Sequence, residues 1–165
     1  MSKETNLVVL NSTMLYVLAF LTSTILHEFA HGFVGFLNSS DPVVHHNYVE
    51  HLSKSHLSIQ QQVFIALAGP VLSLIQGLVL GWIFLQSKRR GLTNLFLLWL
   101  SVLGFNNFLG YLMTGPVFRA GDIGKVHGLL NTPLWFQLTT AFLGAIALLF
   151  IAYIMTRPFL EFSYK

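Results

Sequence analysis

The sequence predicts an all-α fold: a polytopic membrane helix bundle with about four transmembrane helices. Three observations carry this expectation. Of the 165 residues, 54% are hydrophobic and only 9% are charged, against about 25% charged in an average soluble domain. Mean hydropathy is +0.67. The apolar residues also gather into four successive long runs. A chain so poor in charge cannot cover a water-facing surface, so the lipid bilayer is its expected solvent.

The runs are Leu7–Leu37, Val63–Leu85, Leu92–Val117 and Leu134–Met155. Spanning the hydrocarbon takes about 20 helical residues, so each is sufficient, and the first is expected to tilt or project beyond the bilayer. Lys3 ahead of an apolar run also fits a signal peptide. However, Asn11-Ser12-Thr13 interrupts that run, and it continues well past the length of a signal core. The length allows one domain, residues 1–165, expected as a multi-pass protein of the cell membrane.

The connections differ in character. Asn38–Gln62 is polar and rich in His, Ser and Gln; within it Val43–Val49 is β-prone and bounded by Asp41-Pro42, which predicts a short strand or β-hairpin. Lys88-Arg89-Arg90-Gly91 is a tight basic turn. Phe118–Pro133 is a third link and carries Arg119, Asp122, Lys125 and His127.

Composition narrows the chemistry. The formal charge of +3 is diffuse, with no basic run interleaved with exposed aromatics, so nucleic acid is not an expected partner. Cysteine is absent, which removes disulfides, thiolate metal sites and cysteine nucleophiles together. Any metal here must be held by His, Asp or Glu.

Residues 27 to 31 read His-Glu-Phe-Ala-His. On a helix His27 and His31 are four residues apart and share a face, so both imidazoles can close on one metal ion. Glu28 lies beside them, where it can take a proton from a metal-bound water. This is the H-E-x-x-H arrangement of zinc hydrolases. Two histidines and a carboxylate inside an apolar span are costly unless something uses them.

A hydrolytic zinc site takes three protein ligands and leaves one position for water. Glu4 and Glu161 belong to the ends of the chain, and Asp41 and Glu50 to the polar link. Asp122 stands just beyond the third run, with Gly121 and Gly124 beside it, and glycine permits a tight path that turns a carboxylate back towards the bundle. His127 is the rival third ligand. Runs one and three are separated by an even number of crossings, so they run in the same direction. Asp122 is therefore expected near the same membrane face as His27 and His31, together with His45, His46, His51 and His56.

Over about Ile25–Lys125 the chain resembles the site-2 protease family of intramembrane zinc metalloproteases. His27-Glu28-Phe29-Ala30-His31-Gly32 is similar to the family's zinc motif with its following small residue. Ala68-Gly69-Pro70 looks like the family's Ala-Gly-Pro motif, with Ser73 where an Asn is common. Asn106 or Asn107 is similar to the family's substrate-holding Asn, and Asp122 to its aspartate ligand, with Ile123 intervening before Gly124.

The resemblance implies a zinc endopeptidase acting on a membrane protein or peptide. Zinc on His27, His31 and Asp122 would acidify a bound water and polarise the scissile carbonyl. Glu28 would be general base and then general acid, Asn106 or Asn107 would hydrogen-bond the substrate, and Val43–Val49 would pair with its unwound segment.

Two other classes compete. One is a non-catalytic membrane metal-binding or chaperone-like protein, against which the intact Glu28 argues. The other is a His-rich di-iron membrane oxidase, which leaves Glu28 and the Gly-Pro of the second run unexplained. Orientation is drawn both ways. Lys3, Lys88, Arg89, Arg90, Arg157 and Lys165 outnumber Lys54, Arg119 and Lys125, which puts the metal-site face outside; the resemblance implies that it faces the cytoplasm.

Overall fold

A computed structural model describes residues 3–87 and 91–162. The basic turn at Lys88, Arg89 and Arg90 lies outside the described residues, as does Lys165. The elements in chain order are α1 (Lys3–Leu37), β1 (Pro42–Val44), β2 (Val49–His51), a 3-10 turn (Lys54–His56), α2 (Ile59–Gln86), α3 (Leu92–Phe118), α4 (Gly121–Leu129) and α5 (Leu134–Leu160). Four of the helices, α1, α2, α3 and α5, are long and apolar enough to cross a membrane. The fold is the expected all-α bundle with one small two-stranded sheet.

The helix ends follow local chemistry. At 35 residues, α1 is about 52 Å long at 1.5 Å per residue, longer than the hydrocarbon it would cross. It ends where the Asn38 side chain donates to the Val34 carbonyl at 2.8 Å and Ser39 turns to a φ of 55°. The second helix begins at Ile59, four residues before the expected Val63. Ser58 and Gln61 form a reciprocal capping box there, with Ser58 N–H donating to Gln61 Oε1 at 2.9 Å and Gln61 N–H to Ser58 Oγ at 3.3 Å. The third link is not all loop, because nine of its residues form α4. The last helix continues past Met155 to Leu160, with Pro158 within its final turn.

The third helix is the centre of the bundle and packs against α1, α2, α4 and α5. Its crossing with α2 is close: a Cβ on Gly104 would lie 2.6 Å from both the Ser73 carbonyl oxygen and the Gly77 nitrogen, the small-residue contact that brings helix backbones together in lipid. Phe84, Leu95, Leu98, Phe105, Leu109 and Met155 fill the core beside it. In the same interior Gln76 of α2 donates to Ser23 Oγ of α1 at 2.9 Å and to the Leu100 carbonyl of α3 at 2.7 Å, tying three helices at one polar point. Large apolar side chains such as Phe20, Trp82 and Leu149 face outward, as a lipid-facing surface requires.

The hairpin pairs Pro42 with His51, Val43 with Glu50 and Val44 with Val49, antiparallel. It seats on the C-terminal end of α1, where a Cβ on Gly32 would come within 2.7 Å of Val44 Cγ2. The small residue after His31 therefore makes room for β1.

Candidate metal centre

The first helix presents His27 and His31 one turn apart on its inner face, both buried. Their Nε2 atoms are 3.2 Å apart, and Asp122 Oδ2 lies 3.0 Å from His27 Nε2 and 3.2 Å from His31 Nε2. Two ligands held about 2.0–2.1 Å from a tetrahedral zinc are about 3.3 Å from each other, so this triangle matches one face of such a site. Among the described residues, these three form the one group of His, Cys, Asp or Glu side chains arranged to hold a metal ion. Glu28 is outside the group.

The far nitrogens of the two rings are also engaged. His31 Nδ1 lies 2.6 Å from the Ile65 carbonyl oxygen, and His27 Nδ1 lies 3.0 Å from Ser73 Oγ. A carbonyl can only accept, so the His31 proton sits on Nδ1 and its Nε2 lone pair faces the triangle. Both partners come from α2. Gly69 of that helix is pressed against the rings: a Cβ there would lie 2.6 Å from His27 Nε2 and would overlap His31 Nε2. The Ala-Gly-Pro sequence thus lets α2 approach the site without filling it.

Asp122 comes from the first turn of α4. The chain reverses after α3 through Arg119, at a φ of 51°, and Gly121, at a φ of 69°. A Cβ on Gly121 would also meet the Tyr111 ring at 2.9 Å. Ile123 turns into the bundle, and Gly124 lies against α3, where a Cβ would be 2.9 Å from the Gly115 carbonyl. Burial raises the Asp122 carboxyl, but its close contacts with His27 and His31 outweigh that and hold the group well below the usual carboxylate range. Asp122 is therefore an anion at neutral pH, suited to a cation.

A cavity of about 200 Å³ opens on this group. It is lined by Glu28, His31, Tyr111 and Asp122 and also by Tyr48, Val49, His51, Lys54 and Lys125. Glu28 is half-buried and reaches the cavity rather than the ligand triangle. Tyr111, whose ring centroid is 5.5 Å from that of His27, carries no sequence signal beyond lying four residues after Asn107 on α3.

The other expected residues sort themselves out. His127 stands apart from the triangle: its Nδ1 is 2.8 Å from Thr132 Oγ1, and it lines a different cavity, with Arg119, Asn131 and Gln137. Asn106 and Asn107 line a neighbouring cavity that shares Tyr111 with the metal side, and Asn107 Nδ2 is 3.5 Å from Ser23 Oγ. Of the histidines in the polar link only His51 reaches the metal-side cavity, with its Nδ1 2.8 Å from Ser40 Oγ. His45 stacks on Tyr48, with ring centroids 4.2 Å apart, and lies 3.8 Å from Glu50 Oε2. His46 and His56 are exposed.

Comparison with known proteins finds no matching family model, no matching curated protein and no matching solved structure. The functional reading therefore rests on the residues and their geometry.

Proposed function

We propose that the chain is a zinc metalloendopeptidase of the cell membrane, similar in chemistry to the site-2 proteases, that hydrolyses peptide bonds of membrane-embedded or membrane-anchored substrates. One observation carries the reading. The Nε2 atoms of His27 and His31 and, from the distant α4, the Oδ2 of Asp122 converge to 3.0–3.2 Å of one another, and a carboxylate outside that group, Glu28, lines the same cavity. A metal store needs the first feature but has no use for the second.

When bound, zinc would supply a Lewis acid that makes water nucleophilic near neutral pH and polarises a carbonyl. His27, His31 and Asp122 would hold it, and Ile65 and Ser73 would keep the two rings in orientation. The Glu28 carboxylate would take the proton of the attacking water and pass it to the nitrogen of the leaving amine. A helical substrate must unwind before its carbonyl is reachable. Val49 of β2 lines the cavity, so the hairpin offers a strand edge to such an extended segment.

The test is cleavage by zinc-loaded protein in liposomes, with single-span peptides as substrates and product termini read by mass spectrometry. The proposal requires cuts that a chelator abolishes and added zinc restores. Cleavage that survives removal of all metal would refute it.

A further inference from the structure

The cavity beside the metal ligands has a cationic wall that hydrolysis itself does not use. Lys54, from the 3-10 turn, and Lys125, one turn after Asp122 on α4, both line it together with Glu28, His31 and Asp122. Among the described residues the carboxylates within 4 Å of a basic side chain are Asp122, beside His27 and His31, and Glu50, beside His45, so neither lysine is in an ion pair. Both remain open to solvent.

The two ammonium groups feel each other. Burial and then the Lys54 charge lower Lys125, against an opposing pull from Asp122. Burial, then Lys125, then Lys54 lower His51. Two like charges thus share this cavity, and neither is paired with a carboxylate. With a divalent ion held by Asp122 and with Glu28 ionised, the metal side is close to neutral, and the lysines leave the cavity with excess positive charge.

We propose that Lys54 and Lys125 form an anion subsite that binds a carboxylate of the substrate next to the scissile bond. The inference rests on the proteolytic reading and names the substrate class: segments with an acidic group close to the cut. The carboxylate would come from an Asp or Glu side chain or from a peptide C-terminus. Placement within the catalytic cavity, rather than on the outer rim of the bundle, favours a substrate group over a lipid phosphate.

The test uses zinc-loaded protein in liposomes and a set of leucine-alanine single-span peptides. Asp, Asn or Lys stands in turn at each position of the segment emerging at the metal-site face, and every peptide is made with a free and an amidated C-terminus. Glu28→Gln protein is the blank. Wild type should cut Asp peptides about tenfold better than Lys peptides at one fixed distance from the bond. The double variant Lys54→Glu/Lys125→Glu should reverse that order, and Lys54→Gln/Lys125→Gln should flatten it, with zinc content unchanged in both. An indifference to amidation assigns the side chain; a preference lost on amidation assigns the C-terminal carboxylate. Glu28-dependent cuts with no charge preference, or a preference that survives reversal, would overturn the subsite alone. So would a reversal that alters only the response to anionic lipid. A lack of Glu28-dependent cuts would remove the proteolytic reading and this inference with it.

Discussion

The Ile65 carbonyl oxygen of α2 lies 2.6 Å from His31 Nδ1 of α1, and through that contact the second helix decides which nitrogen of the ring can face a metal. Ser73, two turns further along α2, stands in the same relation to His27 at 3.0 Å. The candidate metal centre is thus shaped by the packing of α2 on α1 as much as by the histidines themselves.

Loss of a ligand should empty the site. Purified wild-type protein should carry about one zinc per chain, and His27→Ala, His31→Ala and Asp122→Ala should each lose most of it, since two ligands hold zinc poorly. Full zinc in both histidine variants, measured by mass spectrometry of the metal, would mean that the triangle is not the site.

His127→Ala separates the two candidates for third ligand. Its ring is turned to Thr132, and the variant should therefore keep zinc at the wild-type level. If it loses zinc while Asp122→Ala retains it, the third ligand has been misassigned.

Ser73→Ala removes the partner of His27 Nδ1 without touching a ligand. Orienting groups of this kind are worth about 10–100-fold in metal affinity, and a competing chelator should show a loss in that range. Unchanged affinity would show that Ser73 does not orient the ring.

Gly69→Ala should be worse than its size suggests. The added methyl would meet both Nε2 atoms, at 2.6 Å from that of His27 and overlapping that of His31, so α2 must back away or the rings must turn. Zinc affinity should fall by at least about tenfold, with the helix content by circular dichroism retained. A variant that binds zinc normally would show that α2 does not press on the site.

Local pattern and long-range packing were unequally legible. The pair His27 and His31 and the neighbouring Glu28 can be read from five residues, because a helix fixes which positions share a face. A short strand or hairpin was also readable, since the β-prone stretch Val43–Val49 is bounded by Asp41-Pro42. Asp122 is different. From the residues alone it competed with His127, and the resemblance singled it out; its placement depends on the turn at Arg119 and Gly121, which lies against Tyr111. The nine-residue α4 was hidden because it is short, mixed in polarity and carries three glycines. The start of α2 was placed four residues late because Gln60, Gln61 and Gln62 look like loop until the capping box at Ser58 is recognised. Ile65 and Tyr111 carry no chemistry of their own that a motif could mark, and Ser73 stands out only by its place after the Ala-Gly-Pro sequence.

The most direct measurement is zinc content and cleavage in the same preparation of Glu28→Gln. Glutamine keeps the size and one oxygen but cannot take a proton from water. The account predicts one zinc per chain, an intact fold and a fall in cleavage of about 10²–10⁴-fold, with substrate accumulating on the variant. Wild-type cleavage would show that another group moves the proton, and loss of zinc together with activity would place Glu28 in the metal site; either result contradicts the mechanism.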